Sequence, residues 1–89
     1  MAWNIELSPE FRRDLTKLGA EEAKRILKFL HERLHPMENP RIIGEPLKGS
    51  RFSGLWRYRV GDYRILCEIQ DDRVSIFAVQ VGHRREIYK

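Results

Sequence analysis

The chain has 89 residues, 42% of them hydrophobic and 34% charged, with a formal net charge of +4, enough for one domain and too few for two. Four Phe, three Tyr and two Trp supply a core and argue against disorder, although a domain of this size hides only about 60% of its unfolded surface. The single cysteine, Cys67, excludes an internal disulfide, and no apolar run approaches bilayer length, so a soluble cytoplasmic protein with no membrane partner is expected.

Residues 2–7 alternate, with Trp3, Ile5 and Leu7 on one side, as in a half-buried strand. Ser8-Pro9-Glu10 reads as a helix start: Ser8 caps free N–H groups, Pro9 suits the first helical position and Glu10 complements the dipole. Phe11, Leu15 and Leu18 form that helix's apolar stripe, and Gly19 stops it. A second helix is expected over about residues 20–35, with Ala23, Ile26, Leu27, Leu30 and Leu34 buried and Pro36 ending it. Residues 36–54, rich in Pro and Gly, read as a long connection. Leu55–Val60, Tyr63–Ile69 and Val74–Val81 then form a β-meander, with hairpins at Gly61-Asp62 and Asp71-Asp72. The expected class is α+β in the order β-α-α-β-β-β, a single domain over residues 1–89.

A two-residue loop at Gly61-Asp62 fixes the register of the first hairpin. Trp56, Tyr58, Val60, Tyr63, Ile65 and Cys67 share one side, the core side. Leu55, Arg57, Arg59, Arg64, Leu66 and Glu68 share the other. Arg59 then faces Arg64 directly, with Arg57 diagonal to Arg64. Like charges opposed across strands are destabilising, so their convergence suggests an anion between them; neutralisation by Glu68 and Asp62 is the structural alternative. The same register carried through Asp71-Asp72 places Phe77, Val79 and Val81 on the arginine side. His83 and Arg84 fall just beyond the Arg59–Arg64 end, where Tyr88 can fold back.

Charge is asymmetric along the chain. Residues 41–89 carry ten Lys/Arg against six Asp/Glu, while residues 1–40 balance, which points the second half toward an anionic partner. Cations over apolar and aromatic ground suit a phosphate chain with stackable bases.

The strings Pro46-Leu47-Lys48-Gly49, Gly54-Leu55-Trp56-Arg57-Tyr58-Arg59-Val60, Asp62-Tyr63-Arg64 and Val81-Gly82-His83-Arg84-Arg85-Glu86-Ile87-Tyr88, in that order over nearly the whole chain, resemble the RelE/ParE superfamily of bacterial and archaeal toxins. The resemblance implies a small RelE-like domain, a strand followed by a two-helix hairpin on a twisted, mainly antiparallel sheet. For the RelE branch it implies a toxin that cleaves mRNA in the ribosomal A site and is neutralised by a cognate, RelB-like antitoxin. It maps working positions onto Arg57, Arg59, Arg64, Arg84 and Tyr88. Lys48, Arg51 and Arg85, in the basic second half, are expected as RNA-binding residues. Lysines are familiar in the family at the first two working positions, where this chain has Arg57 and Arg59. It also stops at Lys89, short of the extra C-terminal helix of some members.

Metal-free RNA cleavage needs a base for the 2′-OH, an acid for the leaving oxygen and cations for the added phosphate charge. Arginine is a poor base and a dependable clamp. His83 and Tyr88 are therefore the acid–base candidates, in either assignment. His31 and His35 lie four apart with no third ligand following, so no metal or other cofactor is expected. Two competing readings remain: a ParE-like gyrase poison acting by binding alone, and a plain interaction module that needs no acid–base pair.

Overall fold

The computed structural model describes residues 2–49 and 51–88. Asn4–Leu7 forms β1, Pro9–Leu18 α1 and Ala20–Phe29 α2, which runs into a π-helical turn at Leu30–Leu34. A two-residue strand, Glu45–Pro46 (β2), precedes Leu55–Val60 (β3), Tyr63–Gln70 (β4) and Ser75–His83 (β5). The sheet order is β1-β5-β4-β3-β2, with β1 parallel to β5 and every other pairing antiparallel. The expected α+β architecture is thus present, with one strand more than the periodicity showed.

Local chemistry accounts for the helical layer. The Ser8 hydroxyl accepts from the Phe11 N–H at 2.9 Å, and Pro9 opens α1, so two orphan helix-end demands are met at once. Gly19, at φ +93°, separates the two helices in a conformation that side chains disfavour. Phe11, Ile26, Leu30 and Leu34 are fully buried against Tyr58, Ile65, Cys67, Ile76 and Ala78. The expected second helix closes in the π turn, whose last N–H, from His35, reaches back five residues to the Leu30 carbonyl. His35 itself is taken up by the Trp3 carbonyl, 2.5 Å from Nδ1.

The first hairpin has the expected register, including Arg59 opposite Arg64. The second departs from it. Asp71–Arg73 forms a 3₁₀ turn closed by Val74 at φ 47°, so Gln70 faces Ser75. A bulge then leaves Val79 unpaired, because Leu66 faces Gln80 while Cys67 faces Ala78. The longer turn slips the pairing by two residues, which keeps every face; the bulge slips it by one, which exchanges faces. Phe77 therefore stays on the arginine side, opposite Glu68, as expected. Val81 does not: it is buried in the core opposite Ile65, and Gln80 and Gly82 take the arginine side.

α1 seals the part of β5 that β1 leaves uncovered. The Ser8 N–H donates to the Ala78 carbonyl, the Ser8 hydroxyl donates to the Val79 carbonyl at 2.7 Å, and Asp14 accepts the Val81 N–H at 3.1 Å. β2 is seated on the core by a close approach: a Cβ on Gly44 would stand 2.8 Å from the Tyr58 ring. The Tyr58 hydroxyl meanwhile donates to the Pro40 carbonyl at 2.7 Å. Gly44→Ala should accordingly cost about 1–3 kcal/mol through overpacking, read as a lowered urea midpoint. An unmoved midpoint would contradict the packing of this segment.

Candidate active site

Strand alternation sends Arg57, Arg59 and Arg64 to the sheet face opposite the helices. The hairpin between them turns on Gly61 at φ 60°, and Arg25 from α2 packs so closely that a Cβ there would meet its guanidinium at 2.6 Å. The three cations do not face water alone. Glu45, paired in register with Arg57, receives the Arg57 Nη2 on one carboxylate oxygen and the Arg59 Nη2, at 3.3 Å, on the other. One carboxylate thus bridges two guanidinium groups.

Tyr88 approaches Arg57 from the other side. Its hydroxyl oxygen accepts from Arg57 Nη1 at 3.2 Å, and its ring meets Phe52 edge-on, with centroids 5.6 Å apart. The Tyr88 hydroxyl, followed by Glu45, raises the Arg57 pKa above its usual value, so this guanidinium stays charged. Its side chain is only 22% exposed, and its Nε is buried without a hydrogen bond among the described residues. Leu66 is fully buried on this same face, beneath the cover that the neighbouring segments provide.

Arg64 and Arg84 lie toward the hairpin. Arg64 Nη1 donates to the Gly61 and Tyr63 carbonyls at 3.1 and 3.0 Å. The Arg84 N–H donates to the Asp62 carbonyl at 2.8 Å, and its side chain stands 3.9 Å from the Asp62 carboxylate. Glu68 instead accepts from Gln70 at 3.0 Å; the counter-charge for Arg57 and Arg59 is Glu45.

His83 is set apart. It pairs with Tyr63 across β4 and β5, rings 5.9 Å apart in an edge contact, and the bulge has turned it to the helix side of the sheet. Its Nδ1 accepts from the Arg85 N–H at 3.2 Å. Of the outlying basic residues, Lys48 is exposed two positions beyond β2, Arg85 is exposed in the C-terminal turn, and Arg51 rests on the Phe52 ring at 5.3 Å. Arg57 and Arg59 thus meet on a residue that periodicity missed, and Tyr88 joins them through Arg57. Glu45 sits in a two-residue strand beside a proline, too short to show alternation; its position just before Pro46-Leu47-Lys48-Gly49 was the available signal.

Chemically, the site offers a carboxylate able to accept a proton, a hydroxyl able to donate one, and four guanidinium groups for an anion. Arg57 donates into the Tyr88 oxygen, which directs the phenolic proton elsewhere.

A model of the ParE toxin family of type II toxin–antitoxin systems matches residues 5–88. Toxin RelG of Mycobacterium tuberculosis (strain ATCC 25618 / H37Rv) is 29% identical over 89 residues, spanning 100% of this chain and 99% of that protein. The mRNA interferase toxin RelE of Escherichia coli (strain K12) is 29% identical over 90 residues, spanning 99% and 92%. Among solved structures, the toxin–antitoxin complex RelBE2 of M. tuberculosis superposes with a TM-score of 0.84 at 27% identity, covering 94% of this chain and 100% of that one.

The bridging carboxylate has a measurable consequence. Glu45→Gln should destabilise the fold by about 0.5–1 kcal/mol at low salt, the scale of exposed ion pairs and opposed like charges. Raising the salt should shrink that loss, because screening weakens the arginine repulsion. Urea titrations at two ionic strengths check it; a loss independent of salt would contradict the electrostatic role.

Proposed function

The chain belongs to the ParE toxin family of type II toxin–antitoxin systems, and we propose that it inhibits translation by cutting messenger RNA in the ribosomal A site. One observation carries the reading: Glu45 and Tyr88, a proton acceptor and a proton donor, are held on the two terminal nitrogens of the same arginine, Arg57. A gyrase poison acting by binding has no need of such a pair. The name of the E. coli relative, an mRNA interferase, supports the same class of chemistry.

Arg57, Arg59 and Arg64 grip the non-bridging oxygens of one phosphodiester, with Arg84 at the hairpin end of the same face. The Glu45 carboxylate takes the proton of the adjacent 2′-OH as that oxygen bonds to phosphorus. The bond from phosphorus to the 5′-oxygen breaks, and Tyr88 gives its proton to the departing oxygen. The products are a 2′,3′-cyclic phosphate and a free 5′-hydroxyl. The guanidinium groups contribute by stabilising the charge that grows on the phosphate in the transition state. His83, on the other side of the sheet, takes no step. A cognate antitoxin of the RelB kind is the protein partner in this reading, in line with the complex formed by the M. tuberculosis toxin.

Mapping transcript 5′ ends after brief induction tests the proposal. Wild type should cut within translated codons. Glu45→Gln and Tyr88→Phe should each lower cleavage by about 10²–10⁴-fold, the usual worth of a general base or acid, and relieve growth arrest, while His83→Gln retains cleavage. Undiminished cutting by both variants would overturn the assignment. Growth arrest with DNA-damage signalling and intact transcripts would overturn the nuclease reading altogether.

A further inference from the structure

We propose that a cleft beside the outer edge of β5 seats the base of a nucleotide next to the scissile phosphate, and so sets where the chain cuts. This inference rests on the reading of the arginine face as an RNA-cleaving site and goes on to assign a separate specificity subsite. The cleft has a volume of about 340 Å³ and lies where α1, β5, Arg51 and the C-terminal turn meet. That size falls within the about 300–1,000 Å³ typical of small-ligand pockets.

Position links it to the proposed chemistry. Gly82, which lines it, is the register partner of Arg64, so the cleft adjoins the strand position that faces one of the clamping arginines. The missing side chain matters there. A Cβ on Gly82 would stand 3.3 Å from the Ile87 Cδ1, so the C-terminal turn packs closely over this position and Ile87 walls the cleft beside it.

Charge decides between base and phosphate. The arginine face is strongly cationic, but the cleft is balanced: Lys17 and Arg51 are offset by Asp14 and Glu86. A second phosphate gains little from a neutral site, whereas a nucleobase is neutral and asks for flat apolar walls and polar groups at its edge. Leu18, Val81 and Ile87 supply the apolar walls. Asp14 is committed to the Val81 N–H. The half-buried Gln80 amide, in contrast, makes no side-chain hydrogen bond among the described residues, and it presents both a donor and an acceptor to whatever enters.

Gln80→Leu keeps much of the side-chain volume and removes the edge-reading amide; Gln80→Glu keeps the shape and removes the donors. Transcript 5′ ends should be mapped after induction of wild type and both variants, with thermal melts confirming folding. The expected result is total cutting within a few-fold of wild type, with base preference at one fixed position flanking the cut changed by about tenfold, the scale of one lost base contact. Undiminished cutting with unchanged base frequencies in either folded variant would overturn the cleft assignment and leave the nuclease reading intact. The same unchanged frequencies with loss of neutralisation by the antitoxin would overturn it too, giving the cleft to the protein partner. If wild type cuts no transcript, the nuclease reading falls, and the subsite with it.

Discussion

Everything at the working face depends on like charges being held together on neighbouring strands. Arg59 stands opposite Arg64 and one pleat from Arg57, a grouping that repels itself and gains nothing from the core. Glu45 makes it tenable by bridging Arg57 and Arg59, and β2 exists to put Glu45 there. That strand of two residues is too short to be stable alone. It is fastened by Gly44 lying against the Tyr58 ring, which is itself packed into the core and tied to Pro40. The chain of dependence thus runs from a buried tyrosine, through a glycine, to a carboxylate at the surface, and from it to the cations. The counter-charge is a neighbouring strand's side chain and not a ligand, so the face is assembled before any anion arrives, which is the pre-organisation that electrostatic catalysis requires.

A single inserted residue sorts the rest. The bulge at Val79 turns the last stretch of β5 over, burying Val81, moving His83 to the helix side and bringing Gln80 and Gly82 beside the arginines. The carbonyl this exposes is not left unsatisfied, since the Ser8 hydroxyl donates to it while also capping α1. One serine therefore serves helix start and strand irregularity together. A bulge next to a functional surface is a familiar device for re-aiming side chains. Here it separates two environments, a cationic face and a charge-balanced cleft, that share Gly82 as their boundary.

The sequence made the helices, the first hairpin and the opposed arginines legible because each rests on a short-range rule: a serine cap with proline, a glycine stop, a two-residue turn that fixes register. What it hid depends on longer range. Val74 adopts a left-handed conformation that nothing in a Val side chain advertises, so the second turn came out longer than its Asp71-Asp72 signal suggests. The bulge leaves no mark in composition, and with it went the placement of Val81 and the company of His83. Glu45 was hidden by length, since a strand of two residues, one of them proline, carries no period. The family resemblance lined up Arg57, Arg59, Arg64, Arg84 and Tyr88 by their strings; the pairing of Tyr88 with Glu45 across Arg57 emerges only in three dimensions.

A carboxylate and a phenol on one guanidinium that drive 2′-OH attack on a phosphodiester leave their signature on the cut ends. Fragments released by the wild-type protein on translating ribosomes should carry a 2′,3′-cyclic phosphate on one side and a 5′-hydroxyl on the other, which a polynucleotide kinase can label without prior dephosphorylation. Fragments with a 5′-phosphate and a 3′-hydroxyl would rule this chemistry out, because water and not the neighbouring hydroxyl would then have attacked.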